Sequence, residues 1–509
     1  MSETWAKVSG VDLHLDLSGT RVRAGLETAL RSAVRAGRLP PGTRLPSSRT
    51  LATDLGVARN TVAEVYSQLV AEGWLTAQTG SGTSVAPRRA PGRRAGPQPP
   101  PPTAVPRYDL RPGVPDLSAF PRREWLATAR KVLAAAPDHL LGYPDPRGLP
   151  TLRAALAGYL ARARGVTADP GHIVICAGFT HGLAAVCRAL RVTGARTLAV
   201  EAYGHQHHRD IAAGPPLILR PVPVDQMGAV IGAASGADAA LLTPAHQFPL
   251  GVTLHPRRRR EVAAWGGLVI EDDYDGEFRY DRQPVGALQA LAPDHVIYAG
   301  TASKSLAPGL RLGWLVVPPR LLDAVTAELA GGPSGLDQLT LAEFITSGGY
   351  DRQVRRARLA YRRRRDRLTA VLAGLGLGIS GISAGLHAVL PFSRTDRECE
   401  LLARAASHDL ALDGLDRYRA PAALSDRAGL VIGYARPPEH AYTTALARLR
   451  AVLTPDEPGS GSGELLPVPY PRPGLEPRRP AARTQGCAVA GVSGLLDAIG
   501  TSVNTAGRG

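Results

Sequence analysis

Residues 300–314 read GTASKSLAPGLRLGW, and the apolar pattern HVIYAG (295–300) runs into them as a strand. Lys304 stands between Ser303 and Ser305, and Arg311 follows seven residues on. Only three of the 60 basic side chains are lysines, Lys7, Lys131 and Lys304; all the others are arginines. Arginine stays protonated, whereas lysine can shed its proton and attack a carbonyl. A lysine kept in so arginine-rich a chain marks a place where arginine cannot do the work. An amine with a guanidinium at this spacing suits an aldehyde that carries a phosphate. Lys304 forms the Schiff base, Arg311 grips the phosphate through charge-assisted bonds, and Ser303 is a further contact.

Upstream, GLVIEDDYDGEF (267–278) is an apolar strand ending in acids and a tyrosine. A pyridoxal ring needs a carboxylate on its protonated nitrogen and a donor near its phenolic oxygen. Asp272 and Tyr274 suit these roles, with Asp273 and Asp275 as alternatives to Asp272. The acids do not read as a Mg²⁺ site, because no Walker-type loop precedes them. HIVICAGFTHGLAAVCRAL (172–190) is a strand, a glycine turn and a helix, and free N–H groups at such a helix start attract phosphate. Gly178, Phe179 and Thr180 are the expected contacts. LAVEAYGHQHHRD (198–210) supplies a ring to stack on the cofactor, His205 or alternatively Tyr203. His205, His207 and His208 lack a nearby carboxylate or cysteine at metal-ligand spacing, so no metal is expected. TPAHQFPLG (243–251) is a strand-end loop that closes over the ring through His246 or Gln247.

Around this core, 509 residues imply more than one domain. Residues 1–20 are a short lead, 21–87 a compact helical segment, and 88–107 a Pro/Arg-rich linker. Residues 108–455 alternate helices with apolar strands, which predicts an α/β layered domain. Residues 456–509 turn to Pro, Gly, Ser and Arg and are expected to be mostly disordered, with one short helix at 491–499. A net charge of +16 favours polyanionic partners. No membrane-length apolar run or secretory signal appears, so a cytoplasmic protein without membrane contact is expected. Four scattered cysteines without a C-x-x-C pair exclude a zinc framework.

In 21–87, Leu26, Leu30 and Val34 mark one helix, and Ser47 or Ser48 caps a second carrying Leu51 and Leu55. Gly56 makes the turn to a third helix from about Ala58, whose opening residues Arg59, Asn60 and Thr61 are polar. WLTAQTGSGTSV reads as a two-stranded wing turning at Gly80–Gly82. Residues 42–77 followed by TGSGTSV resemble the winged helix of GntR-type regulators. The resemblance implies double-stranded DNA as partner, with contacts from Arg44, Ser47, Arg49, Arg59, Asn60 and Thr61 and the wing, Gly82 included, on the minor groove. The segment carries eight arginines against four acids, a net of +4.

Residues 108–455 resemble the fold-type I aminotransferases in the order of their motifs: LGYPDPRGLPTLRAALAGYL (141–160), phosphate turn, aromatic loop, P-x-G loop, Asp/Tyr strand end, Lys loop and Arg. Joined to a GntR-like head, this is the layout of MocR/GabR regulators. The resemblance implies a large, mostly parallel mixed sheet with a smaller C-terminal α+β subdomain. It also implies pyridoxal 5'-phosphate as cofactor, and a head-to-tail homodimer on two half-sites. The signal sensed would be an amine, an amino acid or the cofactor itself. Two positions depart from the enzymes. Phe248 replaces the usual Asn of Asn-Pro-x-Gly, and Leu430 stands where the carboxylate-binding Arg is sought, with Arg419, Arg427 or Arg436 as substitutes. The G-x-S-x-G match at Gly381–Gly385 lies in a Gly-rich hairpin-like stretch and is read as chance. RRARLAYRRRRDRL (355–368) reads as a solvated basic helix with Leu359 and Leu368 inward.

Overall fold

A computed structural model describes residues 4–8, 11–15, 22–78, 82–87, 106–281, 285–393, 395–425 and 427–454. The wing tip at Gly80 and Ser81, nearly all of linker 88–107 and the whole tail 456–509 lie outside the described residues. The chain divides into two compact units, Met1–Thr103 and Ala104–Gly509.

The first unit holds helices Val22–Arg35, Ser48–Leu55 and Arg59–Ala71, followed by the antiparallel pair Leu75–Gln78 and Gly82–Val85. Leu26, Leu30, Leu51, Leu55, Val62, Val65 and Leu69 recur at helical spacing and bury together against Trp74. Ser47 is the residue that caps the second helix, its side chain accepting from the Thr50 N–H at 3.1 Å. Gly56 ends that helix in the left-handed conformation, φ 65°, which glycine adopts without steric cost. The Tyr66 hydroxyl donates to the Pro46 carbonyl at 3.0 Å and ties the third helix to the entrance of the second. The lead contains a hairpin, Thr4–Val8 paired with Val11–Leu15. Its V-D-L-H-L alternation is a strand signal.

The second unit is built on a seven-stranded sheet in the order Ile173–Cys176, Gly313–Val316, Val296–Thr301, Leu268–Asp272, Ala239–Leu242, Thr197–Glu201, Ile218–Val222. Only Gly313–Val316 runs antiparallel to its neighbours. Strands Thr197–Glu201, Leu268–Asp272, Val296–Thr301 and Gly313–Val316, and the edge strand Ile173–Cys176, are buried along their whole length because helices cover both faces, which is why they read as unbroken apolar runs. In such a sheet ligands bind beyond the carboxyl ends of the parallel strands.

A C-terminal subdomain joins the antiparallel strands His387–Phe392, Ala428–Gly433 and Asp413–Gly414 to helices Thr395–Ser407 and Glu439–Leu453. The long helix Gly349–Ala373 leads into it. Its inward stripe is Val354, Ala357, Tyr361, Arg364, Leu368 and Leu372. Leu359, expected inward, falls off this stripe and is exposed. Arg364 is buried instead, paired with Asp116 at 2.8 Å and Glu439 at 3.0 Å. Among the described residues no helix is long and apolar enough to cross a membrane.

Candidate functional site

Five chain segments that leave the carboxyl edge of the sheet meet in one pocket. Its lining includes Phe179 and Thr180, Tyr203, His205 and His208, Phe248, Asp272 and Tyr274, and Ser303, Lys304 and Arg311, with His387 from the C-terminal subdomain. Apart from His387, residues more than a hundred positions apart are gathered because each lies at the carboxyl end of a parallel strand or just before the antiparallel strand Gly313–Val316.

One end of the pocket is built for an anion. Gly178 caps helix Phe179–Val192 with φ 82° and ψ 170°, a region open essentially to glycine alone. A Cβ at that position would lie 3.3 Å from the Arg311 guanidinium. Arg311 itself is held at a positive φ of 51°, uncommon for a side-chain-bearing residue. Its Nη2 donates to Thr180 Oγ1 at 3.3 Å. Ser303 Oγ lies 2.8 Å from Thr301 Oγ1 on the adjoining loop.

At the centre, Lys304 Nζ donates to the Gly113 carbonyl at 2.6 Å. Burial pulls its pKa below the usual lysine range, while Asp272 and Asp275 act against that shift. Burial drives the Asp272 carboxyl well above its ordinary range, with Lys304 opposing. Asp272 Oδ1 is buried with no hydrogen-bond partner among the described residues. That orphaned acceptor fits a protonated ring nitrogen, and the cradle of Gly178, Thr180 and Arg311 fits a phosphate. Tyr274 is likewise pushed well above the usual tyrosine range, by burial first and then by Asp275 and Asp272. It stays protonated and can donate.

The three acids of the strand end face different ways. Asp273 is buried against Arg164 at 2.6 Å and Tyr298 at 2.8 Å. Asp275 pairs with His246 Nδ1 at 2.8 Å. Only Asp272 of the three lines the pocket. Tyr203 lines it too, but its hydroxyl is anchored 2.8 Å from Ser425 Oγ. His205 stacks on Phe248 with ring centroids 4.0 Å apart. The three neighbouring histidines do not converge: His205 and His208 are 4.9 Å apart, while His207 is exposed. Burial keeps both inner rings neutral, His208 near a pKa of about 3. Gln247 does not face the pocket; its amide donates to Glu201, Tyr203 and Phe248.

Several pocket groups escape the sequence reading. Glu201 is buried, accepts from Thr243 and Gln247, and is pushed up to about 7 by desolvation. His387 lies far along the chain, in a strand with no local motif, and is drawn down to about 3 by burial. The structure also places the residues weighed for a carboxylate-binding arginine. Strand alternation turns Leu430 into the core of the C-terminal subdomain and Val431 toward Phe248 and Tyr203. Both residues are apolar. Arg419 is held by Asp416 at 2.6 Å and Arg436 by Asp109 at 3.0 Å, and Arg427 acts electrostatically on Tyr203.

In the first unit, Arg59 and Asn60 are exposed in the opening turn of the third helix, and Thr61 is half-buried beside them. Arg44 and Arg49 are exposed, and Ser47 is used as the cap. Gly82 has φ 84°, and the Arg44 guanidinium lies 3.4 Å from where its Cβ would be.

These two halves define a winged-helix DNA-binding head joined to a domain with the architecture of pyridoxal-phosphate-dependent transaminases. Residues 23–85 match the family model of bacterial regulatory proteins of the gntR family, and residues 113–453 match that of aminotransferase class I and II. The chain belongs to the MocR/PdxR-type HTH transcriptional regulators, which combine these two domains. It is 33% identical over 455 residues to the HTH-type pyridoxine biosynthesis transcriptional regulator PdxR of Corynebacterium glutamicum, covering 84% of this chain and 95% of that one. It is 34% identical over 443 residues to the probable rhizopine catabolism regulatory protein MocR of Rhizobium meliloti, covering 80% and 88%. The crystal structure of an archaeal alanine:glyoxylate aminotransferase superposes with a TM-score of 0.61 at 23% identity, covering 68% of this chain and 90% of that one. This last likeness is one of fold.

Proposed function

We propose that this regulator is a cytoplasmic protein whose 108–455 domain binds pyridoxal 5'-phosphate through Lys304 and reports its state, through linker 88–107, to winged helices at 21–87. The observation that carries the reading is the buried, unpartnered Asp272 Oδ1 in the same pocket as Lys304 and the phosphate-shaped cradle. When bound, the cofactor supplies a covalent carbonyl and an electron-withdrawing ring. Lys304 holds it covalently, Asp272 keeps a proton on the ring nitrogen, and Tyr274 donates to the phenolic oxygen. Arg311, Thr180, Ser303 and the backbone of Gly178 and Phe179 hold the phosphate, and His205 stacks on the ring. An amine, an amino acid or the cofactor itself is the signal. One relative is named for pyridoxine biosynthesis, which supports the cofactor as its own signal. Turnover as a transaminase is disfavoured because Arg209, the arginine of the lining outside the phosphate cradle, is already spent on Gln206 and on the carbonyls of Gly204, Tyr418 and Arg419.

Arg59, Asn60 and Thr61 read base edges in a major groove, with Arg44, Ser47 and Arg49 on phosphates and the wing at Gly82 beside the minor groove. Two heads on two half-sites require a dimer. Helix Arg122–Ala135 buries none of its residues, and Leu126, Leu133, Leu141 and a fully exposed Tyr143 lie along it and the following turn. A second copy of this chain covers that face.

The test is direct. Purified protein loaded with pyridoxal phosphate turns yellow, Lys304→Ala does not, and the loaded and unloaded forms differ in affinity for the DNA upstream of the chain's own gene. Wild-type protein that stays colourless with added cofactor refutes the sensing half. Indifference of DNA affinity to loading refutes the coupling.

A further inference from the structure

Beside the pocket, outside its lining, lies a carboxylate–imidazole pair that the reading above leaves without a role. His246 Nδ1 lies 2.8 Å from Asp275 Oδ2, and both side chains are almost fully buried. The Tyr274 hydroxyl reaches the same Nδ1 at 3.2 Å and the His246 carbonyl at 3.0 Å. We propose that His246 and Asp275 are positioning residues for Tyr274. The imidazole, its tautomer fixed by the carboxylate, donates Nδ1–H toward the tyrosine oxygen and leaves the hydroxyl proton to be given to the cofactor.

The direction of donation follows from counting protons. An ionised Asp275 can only accept, so Nδ1 carries the hydrogen when the pair is satisfied. That one hydrogen points first at Asp275 Oδ2 and is shared, three-centre, with Tyr274 Oη at the longer 3.2 Å, so Nδ1 cannot accept from the tyrosine. The tyrosine proton has three places to go, the His246 carbonyl, the Asp275 carboxylate and the phenolic oxygen of the ring. Donation onto Oη polarises the O–H and makes it a better donor. Were Nδ1 to lose its hydrogen, it would become a further acceptor and draw the tyrosine proton away.

The surroundings hold this arrangement. Gly385 packs so closely that a Cβ there would collide with the His246 ring and with Asp275. The Tyr280 and Tyr434 hydroxyls both donate to the Gly385 carbonyl. His387, neutral through burial, lies 5.0 Å from the His246 ring and uses Nε2 on the Pro249 carbonyl. The charged groups acting on Tyr274 are Asp275, Asp272 and Glu201, and those acting on Lys304 are Asp272 and Asp275. His246, Asp275 and His387 each bring a donor atom within 4.8 Å of the others. Each already has a protein hydrogen-bond partner, so a hydrogen-bonded network accounts for them.

This inference rests on the cofactor reading and is tested on loaded protein by colour, not activity. The yellow form carries a proton shared between the Lys304 nitrogen and the phenolic oxygen. A hydroxyl donating to that oxygen weakens its hold on the proton, so losing the donor raises the pH at which yellow fades. Tyr274→Phe is expected to raise that midpoint by roughly one pH unit, about tenfold in proton affinity. Asp275→Asn, nearly isosteric, lets the amide donate to Nδ1 and reverses the tautomer. It should shift the midpoint in the same direction by about half as much. The double variant should match Tyr274→Phe alone. His246→Gln, whose amide can donate to both neighbours, should stay near wild type and serves if Asp275→Asn fails to fold. An unmoved midpoint in Asp275→Asn, additive shifts in the double variant, or a His246→Gln shift as large as that of Tyr274→Phe overturns the proposal. So does a midpoint that moves on adding a chelator, which would reveal a bound cation. A colourless wild type overturns the cofactor reading and this proposal together, whereas a yellow protein with an unmoved midpoint overturns this proposal alone.

Discussion

Gly178→Ala is the substitution whose effect can be worked most fully from coordinates. The residue sits at φ 82°, ψ 170°, where a Cβ costs about 1–3 kcal/mol of backbone strain. The new methyl would also stand 3.3 Å from the Arg311 Cζ and Nη1. That is tighter than ordinary contact, so the guanidinium must retreat by a few tenths of an ångström, and it retreats from the space a phosphate would share. Charge-assisted hydrogen bonds contribute about 1.5–3 kcal/mol each, and losing alignment of one weakens binding roughly tenfold. Two measurements separate the two costs. Thermal melting of cofactor-free protein reads the strain and should fall by a few degrees, since about 1 kcal/mol moves a large domain by roughly 2–4 °C. Absorbance titrations with pyridoxal phosphate and with unphosphorylated pyridoxal read the cradle: the preference for the phosphorylated compound should shrink about tenfold. If melting falls while that preference is unchanged, Gly178 and Arg311 do not form the phosphate cradle. If neither changes, the strain argument fails as well.

Three other outcomes are expected. Burial disfavours the Lys304 ammonium, so its amine is freed below the ordinary lysine value of 10.5. The rate of cofactor capture should therefore rise with pH to a midpoint under that value, and a stopped-flow profile centred on it would contradict the burial account. Glu201 is raised from 4.5 to about 7. A raised carboxyl contributes stability at low pH that is lost as pH climbs through the folded value, so Glu201→Gln should melt higher than wild type at pH 8 and nearly alike at pH 5. The gain is bounded at roughly 3 kcal/mol by the size of the shift. Equal melting at both values would mean that Glu201 is ionised without cost. Arg59→Ala should weaken binding to the operator by about 10- to 100-fold whether or not cofactor is present, measured by fluorescence anisotropy; undiminished affinity would remove this helix from the groove.

The sequence carries the fold wherever a local rule governs it. Helix spacing and the Ser47 and Gly56 caps mark the head, and unbroken apolar runs with glycine turns mark the parallel strands, because both are written in neighbouring residues. Lys304 is legible for a chemical reason, its scarcity among arginines. Asp272 is the first choice in the sequence, but the partners of Asp273 and Asp275 are not legible, since Arg164 and His246 come from distant segments. His387 and Gly113 are equally hidden: they reach the site from segments whose local pattern carries no chemistry, and tertiary packing alone brings them in. Leu430 and Val431 show the same limit, where a one-residue offset on a strand exchanges one hydrophobic cluster for another.

The distribution of charge around the pocket bears on what it recognises. The end that would hold phosphate and ring gathers Arg311, Lys304, Asp272 and Tyr274, and burial displaces the last three from their ordinary ionisation. The rest of the lining includes Phe248, Tyr203 and histidines that burial keeps neutral. Arg209, the other arginine of the lining, is spent on Gln206 and on the carbonyls of Gly204, Tyr418 and Arg419. Binding energy is thus concentrated on the cofactor, and a ligand shifts a conformational equilibrium only by its difference in affinity for the two states. At a hundred times its dissociation constant, a ligand specific for one state contributes about 2.7 kcal/mol, enough to move a balanced equilibrium almost wholly to one side. On the proposed reading, cofactor occupancy suffices to drive the response, and among the described residues that line the pocket the arginine outside the phosphate cradle is already committed. Measured DNA affinity should follow pyridoxal phosphate concentration in the absence of any amino acid; a response that requires one would place the decisive recognition outside these walls.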